Sequence, residues 1–159
     1  MLVTRMSAQV WIAILVGLAA TIDDLARRQI SNWIPLTALA GGFGWQITQH
    51  GWRGALAALE GTAAGFAVFL IFYLLGGMGG GDIKLMAGFG ALLGVTQVLW
   101  AALLTAAIGG VLALGVIAVR SVRKLAGKAG AVPSGAGNES IPYAPAIALG
   151  VWLSLVPKG

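Results

Sequence analysis

Residues Ile83 to Val119 read IKLMAGFGALLGVTQVLWAALLTAAIGGVLALGVIAV, and Lys84 is the only charged residue in the run. A helix crosses a bilayer with about 20 mostly apolar residues. The tract is therefore too long for one ordinary crossing, and Thr96 and Gln97 divide it into a short helix near 85–95 and a full one near 98–119. Working outward, apolar runs recur near 8–22, 33–48, 54–75 and 143–156. The chain of 159 residues is 58% hydrophobic and 9% charged, whereas a soluble domain carries roughly 25% charged residues. The pattern predicts an all-α membrane protein, a bundle of about six transmembrane helices forming a single polytopic domain over residues 1–159. A Gly-rich loop, residues 76–81, precedes the fourth helix.

Charge placement orients this bundle. With six spans, Arg27, Arg28, Lys84, Arg120, Arg123, Lys124 and Lys128 share one side, and Arg5, Arg53 and Lys158 the other. Basic residues favour the cytoplasm, so the three basic loops are expected inside and both termini outside. The net charge of +5 is accordingly a topology signal in a lipid bilayer, with no nucleic-acid partner implied. The segment after Arg5 also has the look of a secretory signal. A retained first span is the better reading, because a second apolar segment follows almost at once. The segment 127–140, rich in Gly, Ala, Pro and Ser, is expected to be a flexible loop.

The chain has five acidic residues, Asp23, Asp24, Glu60, Asp82 and Glu139. The three aspartates fall at span ends or loops on the predicted cytoplasmic side, and carboxylates so near hydrocarbon are costly and usually functional. Elimination narrows their chemistry. There is no cysteine and one histidine, His50, on the opposite face, so a zinc site of Cys and His and a Ser–His–Asp arrangement are both disfavoured. No metal or cofactor is implied. A pair of carboxyls with water remains. Two carboxyls in one site do not both ionise easily, so one can hold a proton while the other accepts one from water. The alternative is a non-catalytic transport or assembly subunit whose aspartates bind an ion or relay protons. That role calls for carboxylates near the midplane, whereas these sit at one edge.

Three motifs then stand in order. Asp24-Leu-Ala-Arg-Arg-Gln-Ile-Ser-Asn32 is similar to the first aspartate motif of type IV prepilin peptidases. Gly79-Gly80-Gly81-Asp82-Ile83-Lys84 resembles their GxGD-x-Lys motif, and Ile141-Pro142-Tyr143-Ala144-Pro145-Ala146 resembles the opening of their last span. The chain has the size of the minimal members that serve Flp/Tad pili. The resemblance implies an aspartic endopeptidase of the cytoplasmic (inner) membrane that removes the basic leader of prepilins or pseudopilins at the cytoplasmic face, just before the pilin's apolar helix. It implies Asp24 and Asp82 as the catalytic pair. Gly79 and Gly81 are expected to let a substrate backbone approach. Lys84 and Asn32 are expected as supporting residues, Lys84 in substrate steering and Asn32 in capping the second span. Longer members carry an extra cytoplasmic segment, often with a cysteine zinc site, and also N-methylate the product. This chain has neither that segment nor cysteine, so methylation does not carry over. Ser31 stands where the family often has proline, which predicts a looser entry to the second span. Asp23 is the rival to Asp24, and the spacing to Ile30 and Asn32 favours Asp24.

Overall fold

In a computed structural model the described residues are 8–76, 78–125 and 143–156. Several sequence expectations lie outside them, namely Arg5, Gly77, Lys128, the flexible loop 127–140, Glu139, Ile141, Pro142 and Lys158. The regular structure of the described residues is all helical: α1 (Ala8–Arg27), α2 (Trp33–Leu74), α3 (Gly80–Leu125) and α4 (Ala144–Ser154). Three of these, α1, α2 and the part Gly80–Leu112 of α3, are long and apolar enough to cross a membrane. This is a membrane protein.

Against the expected six helices, the described residues form four. The loop expected near residue 50 and the break expected at Thr96 and Gln97 are not separate segments. Each is a single glycine inside a longer helix, Gly51 (φ 56°, ψ −134°) in α2 and Gly94 (φ 75°, ψ 174°) in α3. Both backbones lie in a region that a residue with a β-carbon rarely enters. The helix axis folds back at each. A β-carbon on Gly54 would strike the carbonyl of Gln46, which a straight helix would hold far away. A β-carbon on Gly65 would lie 2.6 Å from the Met86 carbonyl and 3.2 Å from the Val98 side chain, so residues on either side of Gly94 face the same point. The break at Gly94 frees the carbonyl of Leu92. Two glutamine side chains serve it, Gln9 Nε2 at 2.9 Å and Gln46 Nε2 at 3.3 Å.

The first arm of α3 is the centre of the fold. Leu85, Met86, Phe89 and Leu92 are fully buried. Small residues let both arms of α2 close on it, as helix packing without a water-driven force requires. Gly88 meets the Pro35 carbonyl, and Gly90 and Gly61 meet backbone to backbone. On the other side α1 packs on α4. A β-carbon on Gly17 would touch the Trp152 ring at 3.0 Å, and Trp152 Nε1 donates to the Ala13 carbonyl at 3.0 Å. Trp152 is therefore a partly buried packing residue between α1 and α4, while Trp33 and Trp52 are 75% and 78% exposed, as interfacial anchors would be. The last helix is shorter than expected, 11 residues, or about 16 Å at 1.5 Å per residue. At the other end, α3 continues to Leu125, past Arg120 where a loop was expected.

Candidate active site

Each aspartate reaches the site from a helix end. Asp24 sits in the last turn of α1, one turn before the chain leaves the helix through Arg28. Its Oδ2 accepts a hydrogen bond of 3.1 Å from the backbone N–H of Ala144, the first residue of α4. The opening N–H groups of a helix have no partner within it, and the helix dipole favours a negative charge there. Asp24 thus ties the exit of α1 to the entry of α4, and only 7% of the residue is exposed.

Asp82 lies in the first turn of α3 and is equally buried, 7% exposed. Its Oδ2 accepts from the Gly79 N–H at 3.0 Å, and its own N–H donates to the Gly79 carbonyl at 3.1 Å. This is half of a capping box, with the carboxylate at the third helical position reaching back to the residue before the helix. Asp82 is thus not the N-cap itself. The Gly-rich break is also shorter than expected, because Gly80 and Gly81 already belong to the helix.

The loop between α1 and α2 joins these two ends. A β-carbon on Gly81 would lie 3.2 Å from the Ile30 side chain, so loop and helix meet at that point. Ile30, six residues after Asp24, is the residue that carries the first motif's spacing. The loop is held from behind by Asp23, whose Oδ2 accepts the Ser31 N–H at 2.7 Å and whose Oδ1 lies 3.5 Å from Arg27 Nε. A proline at position 31 has no N–H to give. Serine here therefore tightens the loop, contrary to the looser entry expected.

Asp24 and Asp82 line one cavity of about 490 Å³. Its walls are otherwise the loop residues Arg28, Gln29 and Ile30, the glycines 79–81, and the pair Asn32 and Lys84. Lys84 Nζ donates to Asn32 Oδ1 at 3.0 Å. Asn32 precedes α2 as expected, yet its side chain makes no capping bond; its oxygen serves Lys84 instead. All six residues singled out from sequence, Asp24, Asp82, Gly79, Gly81, Lys84 and Asn32, line this cavity.

Sequence reasoning missed two participants. The Ala144 N–H is a backbone group with no residue signature. Arg28, read only as a topology signal, lines the cavity with φ 53°, a left-handed value that is uncommon outside glycine. His50 is exposed at the far end of the first arm of α2, about 27 Å along the helix from its start beside the cavity. Among the described residues no three His, Cys, Asp or Glu side chains gather as a metal site would require.

The arrangement defines a class, a membrane protein of apolar helices with two buried carboxylates meeting at a polar cavity. The sequence pattern of the type IV leader peptidase family matches residues 11–114, and the chain belongs to that family. The match covers both aspartates and ends before α4. Comparison with curated proteins and with solved structures gives no match.

Proposed function

We propose that the protein is an aspartic endopeptidase that removes the leader of type IV prepilin-like proteins, with Asp24 and Asp82 as its catalytic pair. The observation that carries this reading is the shared cavity: two carboxylates, both buried, each fixed at Oδ2 by a backbone N–H. A water between them loses a proton to the charged carboxylate as it attacks the peptide carbonyl. The protonated partner gives its proton to the carbonyl oxygen; the carboxyl that took a proton from water then passes it to the departing amine while the first recovers its own from the collapsing diol, with no covalent intermediate. The pair titrates as a unit, so neither role belongs to one residue. Gly79, Gly80 and Gly81 present a wall without side chains against which an extended peptide can lie.

The reversals at Gly51 and Gly94 support two crossings each by α2 and α3. Both folds then lie on the far side, and Arg27, Arg28 and Lys84 lie with the aspartates on the cytoplasmic face of the inner membrane.

The test uses protein reconstituted in vesicles with a prepilin-type substrate, followed by mass spectrometry of the products and by proton flux in the same vesicles. The reading expects release of the leader and no flux. Flux that depends on Asp82, with no product, would move the transport alternative to the front.

A further inference from the structure

A second cavity opens beside the first and has the opposite chemistry. Its volume is about 400 Å³, within the range of pockets that take ligands. One wall is a single face of the first arm of α2, where Pro35, Leu36 and Leu39 follow one another at helical spacing. The facing wall is the second arm of α2, through Thr62 and Phe66. The floor is Ala87 and Gly88 of α3, where Gly88 approaches the Pro35 carbonyl too closely for any side chain. Leu36 and Phe66 are 52% and 45% exposed, so the groove is open on the outer surface of membrane-crossing helices.

Asn32 and Lys84 belong to both cavities. Their hydrogen bond is the boundary between a polar chamber with two carboxylates and an apolar trough facing lipid. From Asn32 to Leu39 the trough runs about 10 Å, the length of some seven helical residues. A chain that passes from the chamber into the trough must change from polar to apolar where it crosses that bond.

We infer that this trough docks the first two turns of the substrate's own apolar helix, on the far side of the scissile bond from the leader. The inference rests on the leader-peptidase reading, and it adds the place where the membrane part of the substrate lies. The walls come from three helical arms that pack through glycine backbone, so the trough is formed before substrate arrives. Docking there sets the polar–apolar junction of the substrate at Lys84 and Asn32, beside the carboxylates. The site of cutting is then measured from the start of the apolar helix.

Photo-crosslinking in vesicles tests this. A benzophenone amino acid is placed at position 39 or 66, or at position 15 as a control, since Leu15 is 63% exposed on α1, away from the trough. The probe is a synthetic peptide with a lysine-rich leader joined through glycine to an apolar helix of about 20 residues. Expected are peptide adducts at positions 39 and 66 that exceed those at 15 about tenfold or more, mapping to the first seven or so apolar residues. The chain has no cysteine, so Leu36→Cys supplies a milder version, read as a disulfide to a cysteine early in the peptide's helix. Equal adducts at all three positions, or adducts to lipid alone at 39 and 66, would overturn the inference. Cleavage of the same peptide by the unaltered protein is scored separately. Cleavage without trough adducts sinks the docking site and leaves the peptidase standing. Absence of cleavage sinks the peptidase reading, and the adducts still judge the trough.

Discussion

Replacing Asp24 in two ways separates its part in holding the fold from the part in chemistry proposed for it. Asn keeps an oxygen where Oδ2 accepts the Ala144 N–H, so α4 stays tied to α1. What Asn loses is the charge at the start of α4, about 0.3–1 kcal/mol. Ala removes the acceptor as well. Ala144 is fully buried, and a buried donor left without a partner costs about 1–3 kcal/mol more. Neither variant supplies a carboxyl, so both lose about 10²- to 10⁴-fold in rate. The signature is equal loss of cleavage with unequal loss of stability. It is read by prepilin cleavage in vesicles, unfolding in detergent and hydrogen exchange at the Ala144 amide, which opens in Asp24→Ala and stays protected in Asp24→Asn. Cleavage by Asp24→Asn within about tenfold of wild type would refute the catalytic part. Equal protection of Ala144 in both variants would refute the anchoring part.

Three further outcomes follow from particular contacts. Gly81→Val should lower cleavage with little change in stability, because its side chain pushes the Ile30 loop away from Asp82; Ile30→Ala in the same chain should recover part of the rate, and no recovery would mean that the contact does not set the cavity. Ser31→Pro should weaken the loop, since Asp23 loses the N–H it accepts, and heat inactivation at a lower temperature is the readout; an unchanged temperature would show that this bond does not hold the loop. Gly90→Ala places a methyl on the backbone of Gly61. An overpacked core typically loses about 1–3 kcal/mol, here measured by unfolding in detergent, and a fully stable variant would show that the two arms separate freely.

The residues that line the candidate cavity were more legible than the helix count, for a physical reason. In a chain this apolar every carboxylate is conspicuous, because its burial is costly; glycines beside Asp82 and the spacing from Asp24 to Ile30 mark the same place. Ile30 proves to be the contact that joins the two motifs. Helix count was harder to read because turns at Gly51 and Gly94 use one residue each, with no polar loop to announce them. The sequence placed the second break at Thr96 and Gln97, but polarity marked only the neighbourhood. The turn itself needed positive φ, and glycine is too common here to single one out. Asn32 was placed correctly and given the wrong bond, since its partner Lys84 lies 52 residues away. The amide of Ala144, which holds Asp24, has no side chain to notice.

The central claim is that Asp24 and Asp82 act as one unit, and cleavage kinetics of Asp24→Asn, Asp82→Asn and the double variant test it most directly. Residues that act together are strongly non-additive. Each single change should abolish nearly all leader release, about 10²-fold or more, and the double variant should be no slower than the worse single. Asp23→Asn, outside the cavity, should still cut. Losses that multiply in the double variant, or a single variant that cuts at nearly the wild-type rate, would contradict a shared carboxylate pair.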